Sequence, residues 1–177
     1  MIHWGMDLNT LTVIGMPGTG KSSVGVLLAK RLGLAFSDVD LLIQAREGEL
    51  LQATLERVGY LALRSIEETV ILEMPLDKSL VATGGSAVYS DAAMRRLGAA
   101  GPRVFLQTPL ALLQARVAQN PDRGIACPPG QTLADVFEER VPLYRRYADI
   151  TVDCRAQDSA EDVASAVVDA LSGHSGG

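Results

Sequence analysis

Short β-branched and apolar runs alternate along the chain with longer stretches in which apolar positions recur every three or four residues. Leu11-Thr-Val-Ile14 is such a run, ending at a glycine-rich turn, and predicts a buried strand. Lys21 to Leu32 places Val24, Leu27, Leu28 and Leu32 on one helical face, and Gly33 stops it. Leu34 to Ser37 predicts a second strand that runs into Asp38-Val-Asp40. Helices are expected over Leu41–Glu47, Leu50–Arg57 and Tyr60–Glu73, separated at Gly48 and Gly59. Leu80 to Thr83 is a third strand leading into Gly84-Gly85, and Arg103 to Leu106 a fourth. Pro109 to Ala118 opens a helix with proline near its first turn. Asn120 to Gln131 is polar and carries proline and glycine, the composition of a mobile loop. Leu133 to Tyr147 is expected to be helical despite Pro142, with a kink or a break at the proline left open. Ile150 to Val152 is a fifth strand and Ala160 to Leu171 a closing helix.

Strands that alternate with helices imply an α/β fold, a parallel sheet covered on both faces. At 177 residues, nearly half of them hydrophobic, the chain suits one domain with a substantial core. No repeat or boundary divides it, so residues 1–177 are expected to form a single domain. Residues 1–8 read as a short leader and 173–177 as a frayed tail, both flexible.

A formal charge of −5 with no basic stripe argues against a nucleic-acid partner. Lysine occurs only at Lys21, Lys30 and Lys78, so positive charge is mostly arginine, which holds carboxylates and phosphates through paired hydrogen bonds. Genomic base composition would give the same bias. Cys127 and Cys154 lack the spacing of a zinc site or a disulfide framework. No apolar run is long enough for a membrane span, and no signal peptide is visible. A cytoplasmic, membrane-free monomer is the expectation.

Gly15-Met-Pro-Gly-Thr-Gly-Lys21-Ser22 matches GxxxxGK[ST] between a predicted strand and a predicted helix, the context that gives the motif meaning. Glycines let backbone N–H groups turn inward around phosphates, and the helix N-terminus adds partial positive charge. Lys21 can reach the β- and γ-phosphates, and the Ser22 hydroxyl can ligate Mg²⁺. A nucleotide site follows. Asp38 and Asp40 fall at a strand's C-terminal end, where doubly wound sheets form their ligand crevice. One carboxylate can support hydrated Mg²⁺ while the other orients an attacking hydroxyl. The plainer alternative makes Asp40 a helix N-cap. Gly84-Gly85 belongs to the same edge. Taken singly, Arg64, Arg123 and Arg140 each read as solvated surface residues.

Together these residues resemble the shikimate kinase family over nearly the whole chain. The resemblance rests on Gly15–Ser22, Asp38-Val-Asp40, Leu63-Arg64-Ser-Ile-Glu67, Ala82-Thr-Gly-Gly-Ser86, Arg116, Arg123, Arg140-Val-Pro-Leu-Tyr144 and Ala148-Asp149. It implies a P-loop fold of the nucleoside-monophosphate-kinase type, with five parallel strands in order 2-3-1-4-5 and a lid over about residues 119–131. It implies transfer of the ATP γ-phosphoryl group, with Mg²⁺, to the 3-hydroxyl of shikimate, a small anionic substrate. Lys21, Asp40 and Arg123 become the catalytic set, Arg123 closing over the phosphoryl group. Gly15, Gly18, Thr19, Gly20, Lys21, Ser22, Ser23, Arg116 and Arg155 fall on the nucleotide, and Ser22 and Asp38 on the metal. Asp40, Arg64, Gly84, Gly85 and Arg140 fall on the acceptor, with both arginines gripping its carboxylate and Glu67 supporting the pocket.

Departures from the family pattern cluster around the acceptor. Ser86 stands at the third glycine of the turn, Tyr60 at an expected glutamate, and Leu55 and Leu63 at aromatic wall positions. The lid reads Arg123-Gly-Ile-Ala126. Softer walls leave two alternatives open: a kinase of another hydroxy acid or amino acid such as homoserine, and a non-catalytic ATP-binding paralogue. A GTPase is disfavoured because no Asn-Lys-x-Asp motif occurs.

Overall fold

The computed structural model describes residues 8–120 and 124–174. Five parallel strands form one sheet: β1 (Thr10–Ile14), β2 (Ala35–Asp38), β3 (Ser79–Ala82), β4 (Arg103–Gln107) and β5 (Ile150–Asp153). Their order is β2-β3-β1-β4-β5, as the family resemblance implied. The helices are α1 (Lys21–Leu32), α2 (Val39–Glu47), α3 (Leu51–Val58), α4 (Tyr60–Glu73), α5 (Asp91–Ala100), α6 (Leu110–Ala118), α7 (Leu133–Tyr147) and α8 (Ala160–His174).

The sheet separates two apolar layers by the two-residue period of its strands. Leu11, Val13, Leu80, Val104, Leu106, Ile150 and Val152 face α1 and α8, meeting Val24, Leu28, Val167 and Leu171. Ile14, Val81 and Phe105 face the other way, toward Ile43, Leu63, Ile71, Met94, Val136 and Tyr144. Both layers are buried, which is why the central strands read as nearly continuous apolar runs. The register sets Val13 and Asp38 opposite Ala82, and Ile14 opposite Phe105. The C-terminal ends of β1, β2 and β3 therefore finish level, and the loops that follow them open on one edge.

Local chemistry agrees with these boundaries. Gly33 ends α1 in the left-handed conformation at φ 70° and donates its N–H to the Ala29 carbonyl. Thr132 and Asp135 form a reciprocal capping box at the start of α7. That helix runs unbroken through Pro142, which faces solvent. Two expectations need correction. Helix α8 continues through Gly173 to His174, inside the stretch expected to fray. No element was expected between Gly85 and Pro102, yet a 3₁₀ turn at Ala87–Tyr89 leads into α5. Ser90 caps α5, accepting from the Ala93 N–H at 3.0 Å, and Ala93, Met94 and Leu97 make its buried face. The Gly-Ala-Ala-Gly end of α5 hid that periodicity.

Gly101 joins α5 to β4 in extended backbone, where a Cβ would overlap the carbonyl oxygen of Thr10 and lie 2.7 Å from its carbonyl carbon. Backbone at the start of β1 cannot move without disturbing the sheet. Gly101→Ala should therefore destabilise the fold by about 1–3 kcal/mol in chemical denaturation, and an unchanged midpoint would contradict this packing.

Candidate active site

The loop between β1 and α1 is built around Gly18 and Gly20, both in the left-handed region at φ 87° and 88°. It buries Lys21, which is 4% exposed. The Lys21 Nζ donates to the carbonyls of Gly15 at 2.8 Å and Met16 at 2.9 Å. These bonds hold the ammonium within reach of the space the loop encloses. Arg116, from α6, donates to the Gly18 carbonyl at 3.0 Å. Beside the loop lies a cavity of about 290 Å³, lined by Gly18, Thr19, Gly20, Ser23, Arg116 and Arg155 together with Asn120, Cys154 and the start of α8. The residues expected on the nucleotide are thus gathered around the loop and this cavity.

Asp38 ends β2 and caps α2, its carboxylate accepting from the N–H of Asp40 at 3.0 Å and of Leu41 at 3.4 Å. The helix cap is therefore Asp38, and Asp40 lies in the first turn. The other Asp38 oxygen accepts from the Ser22 hydroxyl at 2.5 Å. One hydroxyl and one carboxylate side by side at the phosphate loop fit Mg²⁺, which takes one or two protein oxygens and completes its shell with phosphates and water. Among the described residues there is no cluster of three or more acidic, histidine or cysteine side chains that would form an all-protein cage.

The acceptor side begins at Gly84, after β3. A Cβ there would collide with Glu67 Oε1 and approach Asp40 Oδ1 to 2.8 Å, so only glycine lets two carboxylates converge over the backbone. Glu67 comes from α4 and is 3% exposed. It accepts a hydrogen bond from the Ser86 hydroxyl through Oε2, while Oε1 has no partner among the described residues. Burial, and then the Asp40 charge, push its carboxyl up to about 7; the Ser86 hydrogen bond, Arg140 and Lys21 oppose the shift.

Arg140, on α7, is 1% exposed. It donates to the Ala126 carbonyl at 2.6 Å, and Arg64, on α4, donates to the same oxygen at 3.0 Å. The surface positions expected for these two arginines taken singly are overturned: Arg64 is half-buried and Arg140 is core. Tyr144 fixes the neighbouring turn by donating to the Gly85 carbonyl at 2.5 Å. Residues Gly124–Ala126 roof the pocket, leaving about 30 Å³ between them and Asp40, Glu67, Gly84 and Arg140. That is room for little more than a water. One backbone carbonyl therefore occupies the point on which both guanidinium groups converge.

Arg123 lies outside the described residues. The departures at the acceptor find places: Leu63 lines the pocket, Leu55 packs against the core beside it, Ser86 holds Glu67, and Tyr60 stacks under Arg64 at 5.0 Å. Sequence reasoning missed Tyr89, whose ring lies 3.7 Å from the Arg64 guanidinium carbon. Its only signal was an aromatic residue shortly after the double glycine.

Comparison with known proteins agrees with the geometry. The family model described as shikimate kinase matches residues 17–172. The chain is 37% identical over 176 residues to a shikimate kinase of Halorhodospira halophila, covering 98% of each protein. Among solved structures it resembles a shikimate kinase from Acinetobacter baumannii in complex with shikimate, with a TM-score of 0.86 and 30% identity over 93% of each chain. It also resembles a shikimate kinase from Aquifex aeolicus, with a TM-score of 0.79 and 29% identity over 95% of this chain and 99% of that one.

The buried Glu67 makes stability depend on pH. Unfolded, its carboxyl ionises near 4.5, whereas the folded protein holds the proton to about 7. Between those values the folded state binds more protons, so rising pH withdraws stability. Relative to Glu67→Gln, the native chain should lose on the order of 2 to 3 kcal/mol between pH 5 and pH 8. Denaturation of both proteins at the two pH values checks this, and parallel pH profiles would refute it.

Proposed function

The chain belongs to the shikimate kinase family, and from that premise we propose that it transfers the γ-phosphoryl group of ATP to the 3-hydroxyl of shikimate. What carries the proposal is the convergence of Arg64 and Arg140 on one oxygen, beside Asp40 and the phosphate loop. A planar carboxylate offers two such oxygens to two guanidinium groups, so an acid that displaces the Ala126 carbonyl gains charge-assisted bonds in its place. Held there, it would present ring hydroxyls toward Asp40 and Gly84.

The remaining roles follow from charge and position. Asp40 orients the attacking hydroxyl and accepts its proton as the new phosphate ester bond forms and the γ-phosphate separates from ADP. Lys21 exchanges the carbonyls of Gly15 and Met16 for phosphate oxygens, neutralising charge that grows toward the leaving group. Ser22 and Asp38 would hold Mg²⁺, which screens the phosphates when bound. Glu67, held by the Ser86 hydroxyl, supports the Asp40 side of the pocket. Arg123 closes over the phosphoryl group with the segment 119–131, excluding water that would otherwise hydrolyse ATP. We take residues 1–177 as a single cytoplasmic kinase domain acting as a monomer.

Acceptor-dependent ADP release from Mg·ATP is the direct test, with shikimate beside homoserine, gluconate and nucleoside monophosphates. Strong dependence on shikimate is expected; turnover only with another acid would keep the chemistry and move the substrate. Lys21→Ala should lower kcat by roughly a hundredfold or more with an unchanged circular dichroism spectrum. Arg64→Ala should raise the acceptor KM on the order of tenfold to a hundredfold with little change in the KM for ATP. An unchanged acceptor KM would remove Arg64 from the clamp.

A further inference from the structure

Two guanidinium groups that share one acceptor oxygen repel each other, and each needs something other than the acceptor to hold it in place. Arg64 has little. Among the described residues its Nε is buried with no hydrogen-bond partner, and its one hydrogen bond runs to the Ala126 carbonyl, the contact an incoming acid must replace. What stays against it when that bond is given up is aromatic. The Tyr89 ring lies 3.7 Å from the Arg64 guanidinium carbon, closer than Tyr60 at 5.0 Å. The same ring lies 5.3 Å from the guanidinium carbon of Arg140, and its hydroxyl accepts from Arg140 Nε at 3.4 Å. That hydroxyl donates in turn to Glu139 at 2.5 Å, which fixes the ring against α7.

We propose that Tyr89 is the positioning residue of the acceptor clamp: its ring carries the Arg64 guanidinium and its hydroxyl aims that of Arg140. The negative face of an aromatic ring attracts a cation without consuming its N–H donors, so Arg64 keeps its donors for the carboxylate, and Arg140, which gives only Nε to the hydroxyl, keeps its two terminal NH₂ groups. The 3₁₀ turn at Ala87–Tyr89 brings the ring there, directly after Gly84-Gly85 and Ser86. Three successive features of one short segment thus serve the pocket: backbone without side chains, the Ser86 hydroxyl on Glu67, and the ring under the arginines. Burial, and then the bond to Glu139, raise the Tyr89 phenol above its ordinary range, so it stays a neutral donor.

The inference rests on the acceptor being a carboxylic acid, as proposed above, and two measurements separate the claims. In the first, Tyr89→Leu is compared with Tyr89→Phe in steady-state turnover of shikimate. The leucine variant should raise the acceptor KM about fivefold to tenfold, with smaller changes in kcat and in the KM for ATP. The phenylalanine variant should recover most of that loss. Phenylalanines of increasing ring fluorination at position 89 keep the shape but weaken the negative face, so the acceptor KM should climb with fluorination. A KM indifferent to fluorination, or a leucine variant that weakens ATP and acceptor equally, would reduce Tyr89 to packing and overturn the proposal. The second measurement needs no acceptor: the ¹⁵N–¹H resonance of the Arg64 Nε–H should be shifted upfield by the ring and lose that shift in Tyr89→Leu. An unshifted Arg64 signal in the native protein would also overturn it. Failure to phosphorylate shikimate with an upfield Arg64 signal would instead remove the substrate and leave the clamp.

Discussion

The pairing of β3 between β1 and β2 holds the molecule's chemistry together. Parallel strands in register must all finish on the same side, and here Val13, Ala82 and Asp38 stand opposite one another at that side. Whatever follows each strand is delivered to a common edge: the phosphate loop after β1, the Asp38 cap after β2, the double glycine after β3. A slip of one residue would turn every apolar side chain of a strand to the wrong layer, so the same burial that stabilises the sheet also locks the site. Catalytic geometry of this kind needs no dedicated scaffold beyond the core itself.

Within that edge, charges are crowded where water is scarce. Lys21, Glu67 and Arg140 are all nearly inaccessible, and Asp40 is half-buried between them. Fields in such a place are stronger than in water, and each unpaired group is costly. The protein meets this cost with internal partners: loop carbonyls for Lys21, the Ser86 hydroxyl for Glu67, one backbone carbonyl for two arginines. Each partner is of the chemical type a bound substrate would supply. Bound phosphates and an acid would exchange with these partners one for one, with little reorganisation of the protein.

The Ala126 carbonyl makes the acceptor pocket and the roof over it one equilibrium. An acid held by these arginines would have to displace residues 124–126, and acceptor binding and movement of that segment would then be coupled by competition for the same donors. The phosphate loop and the acceptor pocket meet at Pro17 and Gly85, which pack closely enough that a Cβ at Gly85 would lie 2.8 Å from the Pro17 ring. Nucleotide and acceptor halves are therefore mechanically adjacent as well as chemically complementary.

Much of this was legible in the linear chain because it depends on local rules. Strand and helix periods gave the sheet class, Gly20 and Gly33 bounded α1 to the residue, and GxxxxGK[ST] carries its mechanism in its spacing. The order of motifs pointed to the family and, through it, to Asp40, Arg64 and Arg140. Helix α5 escaped because its small residues blur an apolar stripe that only packing against β1 and α4 makes one-sided. Ser86 read as a departure at the third glycine, Tyr89 drew no reading, and Arg140 taken singly read as a solvated charge. What each touches is set by chain segments far away in sequence: Glu67 for Ser86, Arg64 for Tyr89, Ala126 for Arg140. Local propensity determined where the backbone turns and which residues form the glycine-rich loop. Tertiary packing alone decided which side chains lost water, because desolvation depends on every neighbour at once, and it is desolvation that turns these ordinary residues into a site.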